Sequence, residues 1–425
     1  MGQFFKDKVE EGIRLVWMTY DKEAMYKGFN LLQEAADEGD ADGYCFLARC
    51  YMGGQYVWDG ARLPEDDAKA AEYVKESILR GSAIGVLCGM RCGALTPGAR
   101  KKMPFSNLKA AFDIVLKKAK AGHAFCQMAI AHAYYWGDLI DIMSEIEGVK
   151  EVMESFPTED AYDVWAYPIA IDWYTKAFSK GYGFGFNNFK KIYEKGKGGI
   201  APNPFMVERW MKILADGGDV LQQINYGFEL QKRGDNKLAF HYYQLAANAG
   251  DACALYNLGC CYLSGRGIKE DSSMALRCFQ QGADLGDEDC MYHVGYAYCE
   301  GVNGVEEDNA KAVYWLSQAA QKDCFSAYPQ LAMCYQQGWG VEKDHDAAFR
   351  LFRQAETHID SYSNIFKRYV WNGLGNAFAF GNGAPRDIAL GVAYYDKAIA
   401  LGDTFATQNK AHFKKTIFGK WKQIK

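Results

Sequence analysis

Four stretches between residues 258 and 403 repeat one spacing of small, aromatic, glycine and acidic residues. They include "LGCCYLSGRGIKEDSSMA" from Leu258, "VGYAYCEGVNGVEEDNAKA" from Val294 and "LAMCYQQGWGVEKDHDAA" from Leu331. In each stretch a Gly or Ala precedes a Tyr or Phe by three residues, a pair of glycines follows, and an Asp then stands four residues before a small residue. The aspartates are Asp271, Asp308, Asp344 and Asp387. Such a spacing predicts stacked copies of one small structural unit.

Each repeated position has a physical reason, and together they predict a helical hairpin, helix A followed by helix B. A small residue such as Gly259 lets two antiparallel helices approach closely, and Tyr262 on the same face fills the space beyond that contact. The glycine pair allows a positive φ, which ends helix A and reverses the chain. The Asp caps the free amides at the start of helix B.

Successive hairpins are joined by a second device, in which helix B ends in Gly and the next residue is usually Asp. This pair occurs at Gly39-Asp40, Gly218-Asp219, Gly250-Asp251, Gly286-Asp287 and Gly402-Asp403. The same register extends less cleanly to the N-terminus. We therefore predict an all-α fold, an α-solenoid of about ten antiparallel helical hairpins stacked into a right-handed superhelix.

The domain organisation that follows is a single helical-repeat domain over residues 1–425. Degenerate repeats occupy 1–137, an acidic insertion 138–168, and further repeats, clearest from residue 240, occupy 169–402. A C-terminal capping helix is predicted over 403–425.

The pattern resembles the Sel-one-like (Sel1-like) repeat family, a tetratricopeptide-type family marked by L-G-x-x-Y-x-x-G-x-G-V followed by D-x-x-K/M-A. The three quoted stretches carry the resemblance closely, and residues 20–240 carry it by register alone. The resemblance implies an α-solenoid that acts as a non-enzymatic adaptor organising other proteins. It implies no particular ligand, because the motif residues are structural.

Composition and charge restrict the environment and the class of partner. The net charge of -5 does not favour a nucleic-acid partner, and the first thirty residues carry charges throughout, which argues against a secretory signal. No apolar stretch is long enough for a membrane span. The thirteen cysteines are odd in number and lack a C-x-x-C pair, so we expect reduced core thiols in a soluble cytoplasmic protein.

Three segments depart from the repeat. The acidic insertion carries nine acidic residues against Lys150 alone. Its apolar spacing predicts an extra amphipathic helix, which either contacts a partner or folds back on the array. A lengthened loop at 53–66 adds Tyr56 and Trp58 as anchors or as packing residues. The tail from Thr404 has six lysines and no acids, which predicts a capping helix or, as the alternative, a basic helix on a membrane surface.

A partner-binding surface is predicted by analogy with tetratricopeptide repeats, in which particular helix A positions face the concave groove. An aromatic groove that ends in asparagines suits an extended backbone, which Asn can hydrogen-bond while Tyr stacks on side chains. The alternative is that individual members pack against the next repeat. The predicted positions are Phe125, Met128, His132, Tyr135, Phe228, Tyr256, Tyr292, Tyr296, Asn372 and Asn376.

Catalytic motifs are absent from the sequence: it contains no H-E-x-x-H, G-x-S-x-G or phosphate-binding G-x-x-x-x-G-K-[ST]. Cys290, His293 and Cys299 share one helix, but Cys299 is beyond easy reach of Cys290, so a packed core is favoured over a metal site. We expect no cofactor and no metal.

The favoured function is a non-enzymatic scaffold, adaptor or inhibitor that binds a protein or peptide. The alternatives are a small-ligand or glycan sensor, or an enzyme with a site under the acidic insertion.

Overall fold

Helical hairpins account for most of the chain. The structure is a computed structural model that describes residues 4–53, 63–416 and 419–424. Its contacts divide the chain into two compact units, Met1–Asp251 (unit 1) and Ala252–Lys425 (unit 2). The predicted helical-hairpin fold is confirmed in each unit. The single-domain arrangement and the handedness of the superhelix stay predictions, and Tyr56 and Trp58 lie outside the described residues.

Unit 1 contains six hairpins and three extra helices among the described residues. The hairpins pair α1 (Asp7–Trp17) with α2 (Lys22–Asp37), α3 (Ala41–Tyr51) with α4 (Asp67–Leu79), α5 (Ala83–Cys92) with α7 (Leu108–Lys120), α8 (Ala124–Tyr135) with α11 (Glu159–Phe178), α12 (Phe186–Lys195) with α13 (Pro204–Asp216), and α14 (Val220–Lys232) with α15 (Asn236–Asn248). The extra helices are α6 (Pro97–Lys102), α9 (Asp138–Glu147) and α10 (Val149–Ser155).

Unit 2 contains four hairpins, which brings the described chain to the predicted number of ten. They pair α16 (Ala252–Ser264) with α17 (Ser272–Asp284), α18 (Glu288–Glu300) with α19 (Asn309–Gln321), α20 (Ala327–Gln337) with α21 (His345–Thr357), and α22 (Asn364–Phe380) with α23 (Ile388–Ala400). A 3-10 turn, Ile359–Ser361, precedes α22, and the chain continues into α24 (Thr404–Lys410), β1 (Phe413–Lys415) and β2 (Trp421–Gln423).

The predicted aspartate caps are confirmed in unit 2. Each repeated Asp accepts a hydrogen bond from the backbone amide three residues ahead, which satisfies one of the free donors at the start of helix B. The bonds measure 2.9 Å at Asp271, 3.0 Å at Asp308, 2.8 Å at Asp344 and 3.0 Å at Asp387.

The small residue of helix A lies where a neighbouring ring or chain crosses it closely. A Cβ atom placed on Gly259 would lie 2.6 Å from Cε1 of Phe279, and one on Gly375 would lie 2.5 Å from the Tyr395 ring. Neither ring could keep its position against a larger residue, so these glycines set the spacing between helices A and B.

The acidic insertion forms two helices where one was predicted. Gly148, with φ 99°, separates α9 from α10. Helix α11 begins at Glu159, so residues 159–168 form the start of a helix B and the insertion proper is 138–158. The helix B predicted from residue 169 thus starts ten residues earlier and continues through Pro168. Leu139 and Ile142 are buried, and the insertion therefore folds back on the array.

The C-terminal tail does not form the single capping helix predicted over residues 403–425. Helix α24 has only seven residues, and β1 and β2 then pair antiparallel with Phe413 opposite Gln423. Gly419 adopts φ 79°, and its amide donates a hydrogen bond of 2.9 Å to the carbonyl oxygen of Thr416. Phe413 is buried and Trp421 packs beside it against the core of the last hairpin. The basic amphipathic helix proposed for a membrane surface does not form over the described residues.

No helix in the described part of the chain combines the length and apolarity needed to cross a lipid bilayer. Nine of the thirteen cysteines are buried in the helical core, as the apolar patterns around them predict.

Candidate partner-binding site

Phe125 and Met128 lie in the core of unit 1, so the prediction that they face an open groove is wrong. Phe125 is 2% exposed and Met128 1%. The Phe125 ring meets Phe46 edge-on at 4.6 Å and also contacts Trp17 and Tyr182, at centroid distances of 6.0 and 5.6 Å. Helix α1 brings Trp17 onto α8, and the inward side of unit 1 is therefore filled by its own aromatic side chains.

His132 is half-buried in unit 1. Its Nε2 atom is buried and makes no hydrogen bond with the described residues, and its ring meets Tyr174 edge-on at 5.6 Å. Burial, and then the nearby charges of Arg91 and Arg49, lower the pKa of His132 well below its usual range. The imidazole is neutral at physiological pH, and its assignment to a partner-binding groove stays a prediction.

Tyr135 and Phe228 are accessible but belong to different helices of unit 1. Tyr135 stacks on Tyr167 at 5.4 Å, beside the acidic insertion. Phe228, on α14, is 51% exposed, and the Lys232 ammonium lies 4.2 Å from the centre of its ring.

The three predicted tyrosines of unit 2 come together, with a histidine between them. The Tyr256 ring on α16 lies 5.7 Å from His293 on α18; Tyr292 lies 5.3 Å from His293 and 6.3 Å from Tyr296. All four side chains are half-buried. We call this set, Tyr256, His293, Tyr292 and Tyr296, the tyrosine row.

His293 is the member of the row whose role the sequence did not reveal. Its ring stacks face to face on Phe279 of α17, with centroids 4.4 Å apart and an interplanar angle of 10°. Phe279 is the same ring that covers Gly259, so the close helix contact of one hairpin fixes the support for the row. Its position beside Tyr292 was the one sequence signal for this role. From the sequence, His293 was considered only as a metal ligand, together with Cys290 and Cys299.

The tyrosine row is electrically neutral near pH 7. Burial raises the pKa of Tyr256, Tyr292 and Tyr296, and burial lowers the pKa of His293 to about 4. The row therefore offers aromatic faces and neutral hydrogen-bonding groups, which suit the contact surface of an extended peptide better than proton transfer.

Asn372 and Asn376 are engaged within unit 2. Their Oδ1 atoms accept hydrogen bonds from Nδ2 of Asn409 at 3.0 and 3.1 Å, and Asn376 also accepts from the Tyr395 hydroxyl at 2.7 Å. The prediction that they bind a peptide backbone did not anticipate that Asn409 of α24 would donate to both side chains. Their role in this structure is to fasten α24 to the last hairpin.

Metal ligation has no support in the described parts of the chain, where no three His, Cys, Asp or Glu side chains converge. The thiol of Cys324 instead donates to Asp289 at 3.6 Å, next to the tyrosine row.

Comparison with known families matches eight segments of the chain to the Sel1 repeat. These are residues 24–40, 41–82, 167–182, 224–251, 254–287, 288–324, 327–357 and 372–403, which together make up more than half of the chain. A relative from Rattus norvegicus, DAP3-binding cell death enhancer 1, is 38% identical over 178 residues, covering 42% of this chain and 33% of the relative. The chain thus matches about a third of that relative's length.

Similar solved structures include two bacterial proteins. One is a protective antigen of uropathogenic Escherichia coli described as displaying an SLR fold, with a TM-score of 0.47 and 22% identity over 96% of this chain and 87% of that one. Another is a Sel1 repeat protein from Oxalobacter formigenes, with a TM-score of 0.48 and 20% identity over 97% of this chain and 96% of that one.

Proposed function

The chain belongs to the Sel1 repeat family, and on that premise we propose that it is a non-enzymatic scaffold or adaptor that binds a partner protein or peptide along the tyrosine row of unit 2. Proteins built from Sel1 repeats generally act as protein-interaction scaffolds. The proposal places this protein in the cytoplasm, where its thiols stay reduced.

The observation that carries the proposal is that the structural residues and the tyrosine row occupy different positions in the hairpins of unit 2. The repeated motif residues form helix caps, turns and close helix contacts, as Gly259 and Asp271 do. The tyrosine row stands at other positions of the same helices and stays half-buried. Partly exposed aromatic residues on a rigid helical support are typical of binding hot spots.

The partner that fits the row is an extended segment with apolar side chains. The row carries no charge near neutral pH, and aromatic faces on adjacent helix A segments offer apolar contact along a line. The name of the rat relative records a protein partner for that protein, which supports a protein partner as the class of ligand here.

Site-specific photocrosslinking tests the proposal in the full chain. With p-benzoylphenylalanine in place of Tyr296, we expect a stoichiometric protein partner from native lysate to crosslink. The matched control places the same group at Tyr314, which is 57% exposed on helix B of the same hairpin. A partner that crosslinks only from position 314, or a small molecule retained as the sole ligand in native mass spectrometry, would contradict the proposal.

A further inference from the structure

A cleft of about 460 Å³ lies beneath the acidic insertion of unit 1. It is formed where α8 ends, where α9 and α10 fold back, and where α11 begins. Its apolar wall consists of Tyr135, Trp136, Ile140, Met153, Phe156 and Tyr162. We call it the insertion cleft.

The aromatic side chains of the insertion cleft are held in fixed positions, and part of their surface is open. Tyr135 and Tyr167 stack with an interplanar angle of 17°, and Trp136 stands at 90° to Tyr135 with centroids 4.8 Å apart. The Tyr162 hydroxyl donates to the carbonyl oxygen of Tyr134 at 2.9 Å. Trp136 is 58% exposed and Met153 60%. An open aromatic surface with this support is a ready stacking platform for a flat or cationic group.

The charged residues that line the cleft are mostly acidic. Glu159 and Asp163 stand against Lys197, the single cation among the lining residues, and Asp160 adds a carboxylate in the adjoining hollow. Neither Glu159 nor Asp160 forms a salt bridge with any described residue. Elsewhere in the insertion, Asp138 and Glu145 are already paired with arginines of the array, at 2.8 and 3.0 Å. Glu159 and Asp160, at the start of α11, therefore place carboxylates without a salt bridge at the cleft and beside it.

We propose that the insertion cleft binds the guanidinium group of an arginine in a segment of a partner protein. A guanidinium is planar and weakly hydrated, so it stacks on Tyr and Trp faces while its fork of N–H groups reaches carboxylates such as Glu159 and Asp163. The volume of the cleft exceeds one guanidinium, and the apolar wall accommodates the arginine stem and a neighbouring apolar residue.

Lys197 acts as an internal competitor for the same carboxylates. It lies in the glycine-rich segment between α12 and α13, flanked by Gly196 and Gly198, both with positive φ. An incoming arginine displaces its ammonium from the cleft. Removing this charge should strengthen binding, whereas removing the carboxylates should weaken it.

The experiment uses the full chain and an array of decapeptides that carry Arg, citrulline, Lys or Glu at the central position within varied flanks. We expect Arg to be selected, and exchange of Arg for the neutral isostere citrulline to weaken binding at least about tenfold in fluorescence polarisation. The double variant Glu159→Gln/Asp163→Asn should lose a similar factor. The matched control, Asp67→Asn/Glu72→Gln on exposed positions of α4, removes the same charge and should change affinity less than about twofold.

A second variant keeps the test decisive if loss of the carboxylates disturbs folding. Lys197→Gln should bind the arginine peptide more tightly than the wild type does. An array without arginine preference, equal losses in the two double variants, or weaker binding by Lys197→Gln would each overturn the proposal. Because the cleft is in unit 1, binding should persist in Tyr292→Ala/Tyr296→Ala, so this proposal and that for the tyrosine row fail independently.

Discussion

The Tyr20 hydroxyl donates a hydrogen bond of 2.9 Å to the Asp219 carboxylate, joining residues 199 positions apart. Tyr20 lies in the turn between α1 and α2, with φ 47°, and Asp219 caps α14 by accepting from the Gln222 amide at 3.0 Å. The first hairpin of unit 1 therefore touches its sixth. This closure explains why inward positions such as Phe125 are core residues in unit 1.

Asp219 should make the stability of unit 1 depend on pH. Burial raises the pKa of Asp219 from 3.8 to about 6, against the lowering effect of its hydrogen bonds from Gln222 and Tyr20. Between these values the folded state holds a proton that the unfolded state has lost, so the contribution is fully present below pH 3.8 and is lost as the pH rises through 6. The loss amounts to about 3 kcal/mol.

Urea unfolding at a series of pH values, compared between wild type and Asp219→Asn, isolates this effect. The Asn side chain keeps the cap but does not titrate, so the wild type should lose stability relative to the variant between pH 4 and 7. A difference that stays constant with pH would show that the Asp219 carboxyl is not shifted as described.

Phe125 and Phe228 should respond oppositely to truncation. Phe125→Ala leaves a cavity among Trp17, Phe46 and Tyr182 and should lower the free energy of unfolding by about 3–5 kcal/mol. Phe228→Ala, at an exposed position, should change it by about 0.5 kcal/mol or less. Equal small effects in thermal or chemical unfolding would mean that the inward side of unit 1 is open after all.

Gly340 should tolerate a methyl group far less well than Gly402. Both adopt positive φ, at 66° and 84°. A Cβ atom on Gly340 would overlap the carbonyl of Asn309, whereas one on Gly402 meets nothing within 4 Å. Gly402→Ala should cost about 1 kcal/mol of stability from backbone strain alone, and Gly340→Ala should cost clearly more. Calorimetric melting of the two variants compares them directly, and a similar loss in both would contradict the close packing of the glycine turn.

Local chemistry was readable in the sequence because it acts over a few residues. An Asp three residues before a free amide, as at Asp344, meets the same requirement in every copy. A small residue lies at the close contact between helices A and B in each, as at Gly259, so repetition made the hairpins and caps predictable. The fate of Phe125 depended on how tightly unit 1 closes, which is set by distant contacts such as Tyr20 with Asp219. Such contacts cannot be predicted from the register of residues within a helix.

The candidate site divides in the same way. The proximity of Tyr256, Tyr292 and Tyr296 could be predicted because adjacent repeats fix their spacing. Asn376 was misjudged because its partner Asn409 belongs to a tail that departs from the repeat. A site under the acidic insertion was among the alternatives that the sequence left open. Its residues could not be named, because only the fold-back of α9 and α10 places Glu159 and Asp163 beside Tyr135.

The measurement that tests the central claim most directly is affinity and stability together on Tyr292→Ala/Tyr296→Ala, with Tyr314→Ala as the control. If the tyrosine row binds the partner, the double variant should lose roughly 2 kcal/mol or more of binding free energy while its melting transition stays nearly in place. The control should leave both quantities unchanged. The account would be contradicted by a loss of stability of roughly 3 kcal/mol or more per tyrosine with unchanged affinity in the folded fraction, because the tyrosines would then be core residues.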